Sequence, residues 1–188
     1  SLPADFQEET LDYRLVVHDW GGAIGMGHAV ARPEAVRGFV VMNTAAFPSP
    51  RIPFSINLCR IPGFGALAIR GFNAFARVAL LRCVKKRDRI TPELVRGYLA
   101  PYQTWRDREA HLRFVEDIPM GPEHPSWSTL SGIADGLEQF AEHPMLIMFG
   151  AEDFCFDPSF YREWRARFPR AEAHLLDGCG HYVMEDAR

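Results

Sequence analysis

A carboxylate stands where the sequence predicts a sharp turn between a strand and a helix. Residues 13–17 (YRLVV) are typical of a short buried strand, and residues 23–31 predict a helix that stops before Pro33. Asp19 lies between them, followed by a tryptophan and two glycines whose small size lets strand and helix approach each other. A carboxylate is ionised at neutral pH, so Asp19 can attack an electrophilic carbon without a base. Because the chain contains no Gly-x-Ser-x-Gly motif, we predict that Asp19 is a nucleophile that forms a covalent ester.

Hydrolysis of an ester on Asp19 requires activated water, and therefore a histidine that is oriented by a second carboxylate. Residues 144–150 (PMLIMFG) predict an apolar strand, and Asp153 follows it. Residues 173–176 predict another strand, and His181 follows this one after a Gly-Cys-Gly sequence. Open parallel sheets place their functional residues just past the carboxyl ends of the strands. We therefore predict that His181 is the base and that Asp153 is the acid that orients it.

Other residues of the same types compete for these two roles. Glu152 and Asp157 lie close to Asp153, and turns favour aspartate for reasons unrelated to catalysis. The remaining histidines are predicted to be surface or core residues: His18, His28, His111, His124, His143 and His174.

The three segments around the predicted site resemble the haloalkane dehalogenase family of α/β-hydrolases. The matching sequences are HDWGG at residues 18–22, GAED at residues 150–153 and GCGHY at residues 178–182. The resemblance implies an α/β-hydrolase fold, with a mostly parallel sheet and a helical cap, of which this chain holds the C-terminal part. It also implies that Trp20 donates its indole N–H to the leaving group and its backbone N–H to an oxyanion.

The same resemblance bears on three further residues. Some members of the family carry the orienting acid after the strand that follows the nucleophile, but Asn43 occupies that place here and cannot serve as an acid. This favours Asp153. Epoxide hydrolases use tyrosines of the cap to protonate the opened ring, so Tyr98 and Tyr102 are candidates for that role; we expect them instead to be packing residues.

A narrower resemblance lies in residues 43–76. The segments NTAAFP at residues 43–48, IPF at residues 52–54, CRIP at residues 59–62 and RGFNAFA at residues 70–76 are similar to the dehalogenase-like enzymes of bacterial long-chain olefin synthesis. Those enzymes convert a β-lactone into an alkene and carbon dioxide, so the resemblance implies this decarboxylation. Haloalkane dehalogenation is the first alternative, followed by epoxide hydrolysis and then by a non-catalytic α/β-hydrolase.

The chain is predicted to divide into a core and a cap. We expect residues 1–44 and 128–188 to form an incomplete α/β-hydrolase core, and residues 45–127 to form the helical cap. The apolar stretch up to residue 84 predicts a helical face that carries both Arg70 and Arg77. An apolar cap is typical either of a tunnel for a hydrocarbon substrate or of packing against the core.

Helix signals mark the boundaries of several further elements. Thr91 stands as an N-cap before a proline, and Pro101 ends the helix that follows. Residues 128–142 predict a helix that returns the chain to the sheet. Asp157, again before a proline, starts the helix between the last two strands.

Composition excludes several classes of partner. The 188 residues carry a net charge of −3 and are 47% hydrophobic and 24% charged, which is typical of a soluble globular protein that binds no nucleic acid. The basic run at residues 85–89 is explained by a solvated helix end. Four cysteines without paired spacing predict neither a metal site nor a disulfide scaffold, and they suit the cytoplasm. We expect no transmembrane segment, because the sequence has no long uncharged apolar run. We expect no organic cofactor, and the glycines after Asp19 do not form the Gly-x-Gly-x-x-Gly motif of a dinucleotide site.

The position of Asp19 near the start of the chain has a consequence for completeness. The family carries several strands and an oxyanion loop before its nucleophile. We therefore expect the chain to be a fragment of a longer protein, with the second oxyanion donor in the missing part. The expected partners are a hydrophobic small-molecule substrate and, as a further possibility, a pathway enzyme or a second copy of the chain.

Overall fold

A parallel β-sheet of four strands organises the protein. The structure is a computed structural model, and it describes residues 12–188. Its strands are β1 (Tyr13–His18), β2 (Val36–Met42), β3 (Met145–Gly150) and β4 (Glu172–Leu176), and they lie side by side in this order. All neighbouring strands run parallel, so their carboxyl ends meet at one edge of the sheet. The predicted strands and their parallel arrangement are confirmed.

Helices cover the sheet, and several of them form the long crossover between β2 and β3. They are α1 (Trp20–Ala31), α2 (Phe54–Leu58), α3 (Ala74–Cys83), α4 (Pro92–Leu99), α5 (Glu109–Glu116), α6 (Trp127–Gly136), α7 (Pro158–Arg167) and α8 (Val183–Asp186). Helices α2 to α6 belong to the crossover. None of the helices in residues 12–188 combines the length and the apolar character that crossing a membrane requires.

Two helices begin at the capping residues that the sequence predicts. Thr91 Oγ1 accepts the backbone N–H of Leu94 at 3.2 Å at the start of α4. Asp157 Oδ1 accepts the backbone N–H of Ser159 at 2.7 Å at the start of α7. Each cap satisfies one N–H group that the first turn of a helix leaves without a partner. Helix α4 also ends before Pro101, as predicted.

The apolar stretch that precedes residue 84 does not form one helix. A π-helical segment, Ala66–Gly71, is separated from α3 by Asn73, whose φ of 52° lies in the left-handed region. Asparagine tolerates this conformation better than most residues, so it provides a turn within the apolar run. Arg70 then forms an ion pair with Glu109, whereas Arg77 is exposed on α3. The prediction that the two arginines share a helical face is therefore wrong.

The crossover contains a small apolar cluster of its own. Ile69, Leu112 and Val115 are buried together, and partly buried apolar side chains of the crossover surround them. Residues 45–127, all of which the structure describes, contain helices and turns but no strand. These features agree with a separate cap. The division of the chain at residues 44 and 128 stays a prediction.

The main core lies between the sheet and helices α1, α6 and α7. Ile147 and Phe149 of β3 are fully buried in it. Trp164 of α7 is also fully buried, and its indole N–H donates to the carbonyl of Thr44 at 2.8 Å. This bond anchors α7 to the chain directly after β2. The core therefore also holds the loop at the carboxyl edge of the sheet.

Replacing Trp164 by phenylalanine is expected to lower the free energy of unfolding by about 2–4 kcal/mol, because the change leaves a cavity and an unpaired carbonyl at Thr44. Urea unfolding of the full-length protein measures this difference. Trp105 is 48% exposed and provides a matched control; Trp105→Phe is expected to change the free energy of unfolding by less than about 1 kcal/mol. Equal losses in the two variants would contradict the anchoring role of Trp164.

Candidate active site

Asp19 occupies the turn between β1 and α1 in a strained backbone conformation. Its φ of 51° and ψ of −129° lie outside the regions that residues other than glycine normally adopt. Its backbone N–H donates to the carbonyl of Asn43 at 3.2 Å, and its carbonyl accepts the N–H of Gly22 at 3.0 Å and the hydroxyl of Thr44. A side chain on Gly22 would overlap the Thr44 hydroxyl, so this position requires glycine. These contacts hold Asp19 at the sheet edge with its carboxylate partly exposed.

His181 and Asp153 form a buried pair beside Asp19. His181 Nδ1 and Asp153 Oδ2 are 2.9 Å apart, and both residues are buried. On the other side of the ring, His181 Nε2 lies 3.5 Å from Asp19 Oδ2. The structure thus brings together all three residues that the sequence analysis singled out, in the order carboxylate, imidazole, carboxylate. Their catalytic roles stay predictions.

Asn43 is a member of the site that the sequence analysis considered only as a failed acid. It is fully buried at the end of β2, with a φ of 37°. Its side-chain amide donates to Asp153 Oδ2 at 2.7 Å, and its amide oxygen accepts the backbone N–H of Gly150 at 3.1 Å. Asn43 therefore ties β2 to the end of β3 and helps to orient the buried carboxylate. In the sequence, the one indication of this role is that a polar residue stands directly after a predicted strand.

Asp153 stays ionised although it is buried. Burial raises the pKa of its carboxyl group, but the hydrogen bond and positive charge of His181 act in the opposite direction. The backbone N–H of Cys155, 2.6 Å from Oδ1, and the amide of Asn43 also favour the carboxylate. Together these contacts outweigh burial and lower the pKa of Asp153 below its usual value.

His181 holds its proton more tightly than an ordinary histidine. Burial alone lowers its pKa, but the hydrogen bonds and negative charges of Asp153 and Asp19 outweigh burial and raise the pKa to about 9. At neutral pH the site therefore contains an imidazolium between two carboxylates. Any reaction that neutralises Asp19 removes part of this stabilisation.

His18, which was predicted to be a surface or core residue, lies next to the pair. Its ring centroid is 4.6 Å from that of His181, and its Nε2 is 2.9 Å from the His181 carbonyl oxygen. Burial, followed by the positive charge of His181, lowers the pKa of His18. A neutral His18 then donates Nε2–H to that carbonyl. Its position before the nucleophile was the only signal in the sequence.

Trp20 begins α1 beside the nucleophile. Its ring is partly buried, and its centroid lies 5.1 Å from that of Phe114 on α5. Phe114 of α5 therefore contacts the residue that follows Asp19. Among residues 12–188, no hydrogen bond takes up the indole N–H of Trp20. The proposed donation to a leaving group and the oxyanion role stay predictions.

The two tyrosines that the epoxide hydrolase alternative requires have other contacts. The Tyr98 hydroxyl donates to Glu185 at 3.1 Å, and its ring stacks on Tyr182 at 4.9 Å. The Tyr102 ring packs against His111 at 4.0 Å. These contacts agree with packing roles for both tyrosines.

One group of side chains has donor atoms close enough to hold a metal ion. Asp153, Cys155 and His181 each offer one atom, and these atoms lie within 4.8 Å of one another. Two of the three are already joined by the 2.9 Å hydrogen bond of the acid–base pair. Burial raises the pKa of the Cys155 thiol, so the thiolate that binds metals is disfavoured.

Two surface grooves of the described residues are lined by side chains other than the candidate triad. One, of about 590 Å³, runs along α5 beside Arg113 and Phe114. The other, of about 470 Å³, lies between α6 and α7. Neither is lined by Asp19, Asp153 or His181. A hydrocarbon tunnel through the cap stays a prediction.

Comparison with known proteins supports the same interpretation of the fold. The model of the alpha/beta hydrolase family matches residues 3–188. A crystal structure of haloalkane dehalogenase from Bradyrhizobium elkani superimposes with a TM-score of 0.79 at 25% identity, covering 93% of this chain and 62% of the dehalogenase. The predicted α/β-hydrolase fold and the resemblance to haloalkane dehalogenases are confirmed.

Two curated relatives are considerably more similar in sequence. The chain is 43% identical over 176 residues to the cis-3-alkyl-4-alkyloxetan-2-one decarboxylase of Shewanella oneidensis. It is 41% identical over 175 residues to the protein of the same name from Xanthomonas campestris. Each match covers 92% of this chain, but only 55% and 58% of the respective relatives. The chain thus spans little more than half the length of these proteins.

The raised pKa of His181 predicts a pH-dependent stability. Because the folded-state pKa of about 9 exceeds the ordinary value of 6.5, protonation of His181 stabilises the folded state fully below pH 6.5, and this stabilisation is lost as pH rises through 9. The difference in unfolding free energy between the native protein and His181→Gln is therefore expected to shrink by about 3 kcal/mol over this range. Urea unfolding at several pH values measures it, with the exposed His174→Gln as the control. A difference that does not change with pH would contradict the assignment.

Proposed function

The chain belongs to the alpha/beta hydrolase family, and we propose that it supplies the nucleophile Asp19 and the charged pair of His181 and Asp153 in an enzyme that decarboxylates a β-lactone to an olefin. The observation that carries the proposal is the position of His181 Nε2, 3.5 Å from the Asp19 carboxylate, with Asp153 on the other ring nitrogen. The substrate class follows from the two relatives that are named as oxetan-2-one decarboxylases, because an oxetan-2-one is a β-lactone. The activity is proposed for the full-length protein.

In the proposed cycle, Asp19 attacks the saturated ring carbon that is bonded to the ring oxygen of the lactone. A bond forms between a carboxylate oxygen and this carbon while the carbon–oxygen bond of the strained ring breaks, which releases a carboxylate on the neighbouring carbon. That carboxylate then leaves as carbon dioxide, its bonding pair forms the carbon–carbon double bond, and the ester bond to Asp19 breaks. The products are an alkene and carbon dioxide, and the Asp19 carboxylate is regenerated without water, a redox partner or a cofactor.

His181 is proposed to remain protonated in this cycle. With a pKa of about 9, it faces Asp19 as an imidazolium at neutral pH. Its positive charge stabilises Asp19 at the step in which Asp19 departs as a carboxylate. The N–H groups of Trp20 are proposed to stabilise the negative charge that develops on the lactone oxygen in the first step.

Haloalkane dehalogenation is the second candidate, favoured by the fold shared with a dehalogenase. Asp19 then displaces a halide, and water must hydrolyse the resulting ester. Esterification neutralises Asp19 and so removes its contribution to the raised pKa of His181. The imidazole can then release its proton and act as the base that activates water. Epoxide hydrolysis and a non-catalytic role rank below both.

The setting of the reaction is part of the proposal. We propose that the substrate is a hydrophobic small molecule, that the enzyme acts in the cytoplasm, and that a pathway enzyme or a second copy of the chain can bind it. Charge and cysteine content support the location, whereas these associations rest on the kind of pathway that the resemblance implies.

Turnover in water enriched in the heavy isotope of oxygen distinguishes the two candidate reactions. With a cis-3,4-dialkyl β-lactone, the full-length protein is expected to release an alkene while the peptide that contains Asp19 takes up no heavy oxygen. With a bromoalkane, hydrolysis of the ester would place heavy oxygen in that peptide. Mass spectrometry of the Asp19 peptide and analysis of the products measure both. Asp19→Asn is expected to slow either reaction on the order of a thousandfold or more.

The exposed Asp177→Asn is the matched control, and its turnover is expected to equal that of the native protein. Alkene release by Asp19→Asn at the native rate would contradict the nucleophile assignment. Bromide release with labelling of Asp19, together with no reaction of the lactone, would replace decarboxylation by dehalogenation. If a bromoalkane is turned over, His181→Ala is expected to accumulate the ester as added mass on the same peptide.

Replacing Trp20 by phenylalanine tests the proposed donor role. The change keeps a ring against Phe114 but removes the indole N–H, and it is expected to lower kcat about a hundredfold. Steady-state kinetics of the full-length protein measure this effect. Trp105→Phe removes an exposed indole elsewhere and is expected to leave kcat unchanged. A native kcat in Trp20→Phe would contradict the role of the indole N–H.

A further inference from the structure

The backbone on both sides of His181 is held by residues outside the triad. The N–H of Gly180 donates to Asp186 Oδ2 at 2.8 Å. The N–H of Tyr182 donates to the carbonyl of Cys83, the last residue of α3, at 3.0 Å. The loop that carries the imidazole is thus bonded both to α8 and to the crossover.

Asp186 joins these two attachments through one carboxylate. The side chain is fully buried. Besides Gly180, it accepts the backbone N–H of Lys85 at 3.0 Å and that of Lys86 at 2.9 Å, and the Lys86 ammonium donates to the Asp186 carbonyl at 2.7 Å. Residues 84–86, which we call the α3–α4 linker, are therefore bonded to the same carboxylate as the His181 loop.

Close packing leaves the His181 loop little room to move. A side chain on Gly180 would overlap the carbonyl of Cys83, and one on Gly150 would overlap the carbonyl of Gly180. The loop thus lies between the end of β3 and the end of α3. A shift of the α3–α4 linker is transmitted to the backbone of His181 because the two segments are in contact and bond to the same carboxylate.

We propose that Asp186 is a positioning residue for His181, which fixes the imidazole relative to Asp19 by bonding the His181 loop to the α3–α4 linker. The inference rests on the proposed function of the triad, although the contacts are independent of which substrate reacts. Helices α3 and α4 belong to the crossover that is predicted to be the cap. Through Asp186, together with the bond from Tyr182 to Cys83, the crossover thus helps to determine the position of the acid–base pair.

The chemistry of the contacts explains why a carboxylate stands at this position. Three backbone N–H groups converge on Asp186, and an ionised carboxylate has lone pairs for all of them. An amide of the same shape offers one oxygen and directs an NH₂ group at the remaining donors. Asp186→Asn is thus expected to release one attachment while keeping the packing volume.

The test measures the position of His181 and the chemistry separately in the full-length protein. Asp186→Asn is expected to shift or broaden the low-field NMR resonance of the proton between His181 Nδ1 and Asp153. With a cis-3,4-dialkyl β-lactone, its kcat is expected to fall about 10- to 100-fold, as for a misplaced catalytic group, with KM within about twofold of the native value. Glu152→Gln, which removes an exposed carboxylate that lies 3.8 Å from Lys85, is the matched control.

Each outcome decides the proposal. A folded Asp186→Asn protein with a native resonance and a native kcat would overturn it. A lower kcat that is explained by a smaller folded fraction, with the resonance unshifted, would also overturn it. If His181→Ala has native turnover, the proposed function of the triad fails, whereas the NMR readout still tests positioning. If Asp186→Asn does not fold, Asp186→Glu provides a second variant: it keeps a carboxylate but displaces it from the three backbone N–H groups, and a native resonance together with a native kcat in this variant would overturn the proposal.

Discussion

The candidate site depends on one buried hydrogen bond, between Asp153 Oδ2 and His181 Nδ1. It joins residues that follow β3 and β4, and it places opposite charges in an interior where either alone would be strongly destabilising. Asn43 and the N–H of Cys155 bind the remaining lone pairs of the carboxylate, so the pair is held by a nearly complete set of partners. The parallel sheet matters to the site because it delivers these groups to a single edge.

Local features of the chain could be predicted from the sequence, because their causes are local. Strand periodicity, the small residues after Asp19 and the capping residues Thr91 and Asp157 each act within a few positions, and the structure has the corresponding elements there. Asn43 and His18 could not be assigned in the same way. Their contacts join segments more than a hundred residues apart, and no spacing within one segment carries that information.

The crossover also contains features that the sequence pattern does not predict. Its apolar composition predicts helices correctly, but periodicity alone misses the interruption at Asn73, where an asparagine in the left-handed region ends one helical segment and α3 begins. The basic run at residues 85–89, which follows α3, is predicted from the sequence to be a solvated helix end. Its side chains carry the charge, yet it is the backbone N–H groups of Lys85 and Lys86 that bind Asp186.

The crossover has a further consequence for how such proteins diversify. The register of β2 against β3 is set by the strands themselves, with Phe39 opposite Met145, so the intervening chain leaves and returns to fixed points. The entropic cost of closing a long loop grows only logarithmically with its length, and each doubling costs about 0.6 kcal/mol. Insertions and deletions in this crossover are therefore thermodynamically inexpensive. The crossover can therefore change in length while the sheet keeps Asp19, Asp153 and His181 together at one edge.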